Sequence, residues 1–268
     1  MHCIDKRFLE RIPVKIHAIP ALKDNYIWLL QAENSARTLI IDPGDEKPLI
    51  QYLKQQQLEP AAILITHQHY DHVDGIRPFL KYCSVPVYGP KNDLIPAITH
   101  PLSGMDKLLI DSEFSPVSII DIPGHTSGHI AYQFAENLFC GDTLFASGCG
   151  RLLGGTAEQL FDSLTKLSLL PSGTKIYCGH EYTQANLRFA SVVEPNNTQI
   201  QQRIIEVAAI RKQGKMSLPS TIELELACNP FLRCDQIDVI TAAQQFAGGT
   251  LSSPLQVFKA LRLWKDTF

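Results

Sequence analysis

Apolar residues fall in short runs through the first two thirds of the chain and at helical spacing through the last third. Runs at 14–19, 26–31 and 38–41 predict strands, divided by Pro20, by Asp24-Asn25 and by the turn Asp42-Pro43-Gly44. Residues 46–57 place Leu49, Ile50 and Leu53 on one helical face, and the unbroken run 61–65 predicts a buried strand. A helix is expected through Ile76, Phe79 and Leu80, and a short strand at 85–88. Strands are expected again at 117–122, 130–134 and 138–140, then a helix at 157–169 and a strand at 175–178. Beyond about residue 182 the pattern turns helical, over 182–193, 198–212, 234–247 and 254–265, with Pro195, Pro219 and Pro230 as interruptions.

The predicted strands share one grammar. Several end in a glycine or threonine and then a residue able to bind a metal. The densest case is Thr66-His67-Gln68-His69-Tyr70-Asp71-His72, directly after the run 61–65. The others are His125 in Gly124-His125-Thr126, Asp142 in Gly141-Asp142-Thr143, and His180 in Gly179-His180-Glu181. Side chains at strand ends share one rim of a sheet, where α/β folds present their sites. Only nine of 268 residues are histidine, so five at strand ends beside two aspartates is not a chance turn. Neutral imidazole and carboxylate suit zinc, iron and manganese, and seven ligands suffice for two ions with one carboxylate shared.

Composition narrows the setting. Apolar residues make up 45% and charged residues 19% of the chain, ordinary for a folded protein with a real core. A net charge of −3, from 24 basic and 27 acidic residues, gives no support to nucleic-acid binding. The start of the chain lacks the apolar core of a secretory signal, and no run of 18 apolar residues predicts a membrane span. Seven cysteines, an odd number with no CxxC pair, point to a reducing cytoplasm. His129 reads as a supporting or core histidine. Cys149 reads as a packed residue in a glycine-rich turn, and Ser127 lies in no G-x-S-x-G elbow.

The order H-x-H-x-D-H, His, Asp, His resembles the metallo-β-lactamase superfamily. The segments Leu22-Lys23-Asp24-Asn25-Tyr26, Gly148-Cys149-Gly150-Arg151, Gly179-His180-Glu181-Tyr182-Thr183, Asn229-Pro230-Phe231 and Arg262-Leu263-Trp264-Lys265-Asp266 resemble glyoxalase II, the hydroxyacylglutathione hydrolases. The resemblance runs from about residue 14 to the end, and the first dozen residues look like an extension. It implies an α/β fold: an αββα sandwich over 1–182 and a smaller, all-helical substrate-binding domain over 183–268.

It also implies two divalent ions per chain, zinc first, with iron and manganese acceptable. His67, His69 and His125 would hold one, Asp71, His72 and His180 the other, and Asp142 both. Asp71 would be the catalytic carboxylate, beside the hydroxide that the metals would generate. Arg151, Tyr182, Arg262 and Lys265 would meet glutathione, and Leu153 stands where that family usually carries Tyr or Phe. The implied reaction is hydrolysis of S-(2-hydroxyacyl)glutathione, such as S-lactoylglutathione, to glutathione and a 2-hydroxy acid (D-lactate), completing methylglyoxal detoxification. The expected partner is that small thioester, met by a cytoplasmic monomer, with no nucleic acid and no membrane. A persulfide dioxygenase, which uses one iron and a smaller ligand set, is the nearest rival. Here Asp71, His72 and His180 are all present.

Overall fold

The computed structural model describes residues 12–104 and 107–268. The proposed N-terminal extension falls largely outside them. The chain divides into two compact units, residues 1–121 with 128–141, and residues 122–127 with 142–268.

In the first unit, β1 (Val14–Ala21), β2 (Asn25–Ala32), β3 (Arg37–Ile41), β4 (Glu59–Leu64), β5 (Val87–Pro90) and β6 (His100–Leu102) lie side by side in that order. β1 to β3 pair antiparallel, and β3 to β6 pair parallel. The parallel pairs require crossovers: α1 (Glu46–Gln56) joins β3 to β4, α2 (Tyr70–Val73) with α3 (Ile76–Tyr82) joins β4 to β5, and the loop 91–99 joins β5 to β6. Asp45 opens α1 by accepting from Lys47 N, and Gln57 closes it with φ 54°. β7 (Lys107–Leu108), β8 (Val117–Asp121), β9 (Ile130–Phe134) and β10 (Asn137–Gly141) form an antiparallel meander.

The period of two explains how β2 is buried on both sides. Ile27 and Leu29 join Ile40, Ile63 and Ile65 in a core with Leu49, Leu53, Ile76 and Phe79 of the helices. Trp28, on the opposite face, meets Phe139 of β10 edge-on at 6.4 Å. The two strand layers are also tied by polar contacts: the buried Tyr132 hydroxyl donates to Ile65 O at 2.7 Å, and Ile130 N donates to Thr66 O at 3.0 Å. A helix layer thus lies over one sheet, and a second sheet lies over the other face.

The second unit holds the pair β11 (Leu144–Phe145) and β12 (Gly148–Cys149), α4 (Ala157–Ser168), β13 (Lys175–Cys178), α5 (Thr183–Val193), α6 (Thr198–Lys212), β14 (Ser220–Thr221), α7 (Ile222–Cys228), α8 (Ile237–Ala247) and α9 (Pro254–Thr267). Leu187 and Ala190 of α5 pack with Ile200 and Val207 of α6 and Cys228 of α7. Phe189, Phe231, Phe258 and Trp264 form a second, aromatic contact set.

The predicted elements are present with shifted ends. Five short strands (β6, β7, β11, β12 and β14) and the short helices α2 and α7 go beyond the sequence reading. α7 has seven residues, too few to display a helical period, and is fixed by the Thr221 side chain accepting from Leu224 N. The helix expected from 234 begins at Ile237, because Pro230–Leu232 forms a separate 3-10 turn.

The Tyr132 contact gives the first prediction. Tyr132→Phe leaves the buried Ile65 carbonyl without this donor and should lower unfolding free energy by about 1–3 kcal/mol. Urea unfolding followed by circular dichroism measures it, and an unchanged midpoint would remove the contact's role in joining the layers.

Candidate metal centre

In the first unit the ligand loop leaves β4 at Ile65-Thr66, and Asp71 and His72 lie on the short helix α2. Such irregular backbone needs outside support, and Asp42 supplies it. Asp42 ends β3, the parallel neighbour of β4, with φ 52°. Its Oδ1 accepts from Thr66 N at 2.8 Å; its Oδ2 accepts from Thr66 Oγ1 at 2.7 Å and from His72 Nδ1 at 3.0 Å. The proton on His72 Nδ1 leaves Nε2 as its ligand atom. Thr66 Oγ1, having given its proton to Asp42, accepts from His67 Nδ1 at 3.0 Å, which likewise makes His67 Nε2 a lone pair.

His69 Nδ1 stands 3.1 Å from His67 Nε2. Two nitrogens on one ion, each bonded at about 2.0–2.1 Å, lie about 3 Å apart, so this spacing fits shared coordination. Asn25 donates to Asp71 Oδ2 at 3.0 Å and orients that carboxylate. Asp93 joins Gln68 N (3.0 Å) to Gly128 N (2.9 Å), fixing the loop from below. His129 is fully buried and stacks on His67 at 4.5 Å and 12°. Gly141, at φ 47°, allows Thr66 and the His129 ring to approach where a Cβ would collide with both.

The second unit gathers His125, Asp142 and His180. Asp142 Oδ2 lies 3.2 Å from His180 Nε2 and 3.6 Å from His125 Nε2. A carboxylate oxygen between two imidazole nitrogens is placed as a shared ligand would be. His125 Nδ1 donates to Arg151 O at 2.7 Å, so its Nε2 is the atom left for a metal. Leu153 N donates back to His125 O at 3.0 Å, while the Leu153 side chain is 56% exposed. The His180 ring stacks on Tyr182 at 4.7 Å and 6°, with Phe145 edge-on to both.

The expected glutathione contacts also lie in the second unit, but they differ in kind. Arg262 is buried; its guanidinium donates to Cys149 O at 3.0 Å, Gly150 O at 3.3 Å and Asp266 Oδ1 at 3.0 Å, over the Phe231 ring. Arg151 is exposed, 3.7 Å from the same Asp266 oxygen. Lys265 donates to Ala185 O at 3.2 Å. Burial, then the nearby guanidinium groups of Arg262 and Arg188, bring the Lys265 ammonium down to about 8. Burial pushes the Cys149 thiol up to about 11, which removes it as a nucleophile near neutral pH.

The sequence pattern marks seven candidate ligands and does not mark the groups that aim them. Asp42 had been read as part of a turn, and Asn25 as part of a motif without a role. A carboxylate at the end of the strand beside the ligand strand is the signal that identifies Asp42.

Residues 22–180 match the model of the metallo-β-lactamase superfamily, the class that the layered sheets and the His/Asp set define. Residues 181–268 match the model described as hydroxyacylglutathione hydrolase C-terminus. The chain is 47% identical to a hydroxyacylglutathione hydrolase of Nitrosomonas europaea, over 95% of this chain and 97% of that protein. It is 48% identical to one of Nitrosomonas eutropha, over 95% of this chain and 99% of that protein. A crystal structure of TTHA1623 in a di-iron-bound form is similar at TM-score 0.59 and 26% identity, covering 82% of this chain and 100% of that one. The chain belongs to the hydroxyacylglutathione hydrolase family, with a metallo-β-lactamase fold and a helical C-terminal domain. Its His and Asp groups are of the kind and number that fit a binuclear metal site.

Asp42→Asn tests the support beneath the ligands. The amide keeps the shape but turns an NH2 toward one of its donors. Metal affinity should fall about 10- to 100-fold, read by chelator competition. An affinity equal to the parent's would make Asp42 only a strand cap.

Proposed function

We propose that this chain hydrolyses S-(2-hydroxyacyl)glutathione, with S-lactoylglutathione the leading substrate, to glutathione and a 2-hydroxy carboxylate such as D-lactate. The observation that carries the proposal is Asp142 Oδ2 between His125 and His180, in a chain of this family. His67, His69 and His125 would hold one divalent ion, Asp71, His72 and His180 a second, and Asp142 would bind both, with zinc the first choice. Bound there, two cations acidify water and polarise an acyl oxygen.

The protein's own groups do the rest. Asp42 and Thr66 keep His67 and His72 in the tautomers that leave Nε2 open. Asn25 holds Asp71 aimed. The leaving group is a thiolate with a parent pKa of about 8.5, which departs with little help from an acid. A site of cation ligands without a dedicated acid therefore suits a thioester.

Arg151, Tyr182 and Lys265 take the peptide part of the substrate, and Arg262 shapes that surface from behind by holding the backbone at 149–150. The proposed unit of action is the monomer. No helix among the described residues is long and apolar enough to cross a membrane. The cysteines among the described residues are thiols, which supports a cytoplasmic setting.

The test is release of glutathione thiol from S-lactoylglutathione, lost on chelation and restored by a divalent metal. Turnover of a β-lactam without turnover of the thioester would reverse the proposal.

Lys265 gives a signed pH prediction. Its ammonium, at about 8, is charged below that pH and neutral above it. Attraction for a substrate carboxylate is present below about pH 8 and fades as pH rises through it. The KM of the parent should climb between about pH 7.5 and 9.5, with kcat following its own profile. Lys265→Gln should start several-fold higher in KM and lose this rise. The same rise in both proteins would place the titration elsewhere.

A further inference from the structure

The segment from Asp142 to Leu153 starts with one proposed ligand and ends on another, since Arg151 O and Leu153 N both bind His125. Its middle is a tight turn between β11 and β12, with Ser147 at φ 57°. Side chains from the C-terminal helical region take up the backbone of that turn almost group by group. Glu225 of α7 accepts from Ser147 N at 2.7 Å. Asn229 donates to Phe145 O at 3.3 Å and Gly148 O at 2.9 Å, and also to Glu225 at 2.9 Å. Asn186 of α5 donates to Ala146 O at 3.1 Å, and Arg262 covers the carbonyls of Cys149 and Gly150. Glu225 is fully buried, with Ser220 Oγ at 2.5 Å on its other oxygen.

A buried carboxylate with such neighbours is costly unless each donor is in place. Glu225, Asn229, Asn186 and Arg262 each bond the backbone of one turn.

We propose that Glu225 and Asn229 are positioning residues for the metal ligands Asp142 and His125, acting through the clamped turn at 145–150. The C-terminal helices then serve metal binding as well as substrate binding. This inference rests on the reading of Asp142 and His125 as ligands.

The test uses the full chain and Zn2+ as the probe, with a chromophoric chelator as competitor. Glu225→Gln keeps the side chain's shape but turns an amide against a donor; Asn229→Ala removes the donor to Phe145 O and Gly148 O. Both should weaken Zn2+ retention about 10- to 100-fold, as loss of outer support for ligands does. Val207→Ala, in the α5–α6–α7 core, is the control for general loss of stability. At an equal loss of Tm it should keep the parent's Zn2+ affinity.

If Glu225→Gln fails to fold, Asn186→Ala, which breaks one outer contact of the clamp, carries the same expectation at the lower end of the range. Folded variants that hold Zn2+ as tightly as the parent would overturn the proposal alone, as would a Val207→Ala protein that loses Zn2+ in step with Tm. A parent chain that binds no Zn2+ and cleaves no thioester would overturn the proposal together with the functional reading.

Discussion

One carboxylate organises the histidine loop. Asp42 ends β3 and reaches across to the end of β4, where it accepts from Thr66 twice and from His72 once. Each bond answers a separate need. The bond from Thr66 N replaces a ladder partner where β4 has stopped. The bond from Thr66 Oγ1 fixes that hydroxyl as an acceptor for His67. The bond from His72 fixes a tautomer. Take the carboxylate away and two imidazole orientations, those of His67 and His72, lose their reason. The strand pairing of β3 with β4 sets the distance, so the apolar core beneath this sheet is part of the same device.

The second unit solves a similar problem by different means. Asp142 and His125 are carried on turns rather than on a helix, and turns leave backbone amides and carbonyls open. The long C-terminal stretch returns to satisfy them, through Glu225 and Asn229 near α7 and through Arg262 of α9. Arg262 illustrates the consequence. Paired with Lys265 three residues later, it reads in sequence as a cation on an exposed helix face. In the fold it is buried against carbonyls 112 and 113 residues earlier in the chain. Lys265 keeps a half-buried place and a lowered pKa, so the two cations have separate work.

What could be read from the sequence follows from how local each signal is. Runs of branched residues made the strands legible, and rare histidines after those runs marked the candidate ligands. Neither needs a partner far away. The short strands and α7 were not legible, since two to seven residues show no period. Asp42 looked like a turn residue because its partner strand lies some twenty residues on. Glu225 and Asn229 lie 78 to 84 residues from the groups they hold, with nothing beside them to mark a role. Sequence marks the candidate ligands; the groups that aim them come from tertiary contacts.

The central claim is that seven side chains of one chain hold two metal ions, with Asp142 common to both. Anomalous diffraction at the metal edge, from crystals of the metal-loaded protein, tests it directly. The account predicts two peaks per chain: one bonded by His67, His69 and His125, one by Asp71, His72 and His180, with Asp142 bonded to each. A single peak at full loading, or two peaks with Asp142 bonded to neither, would contradict it.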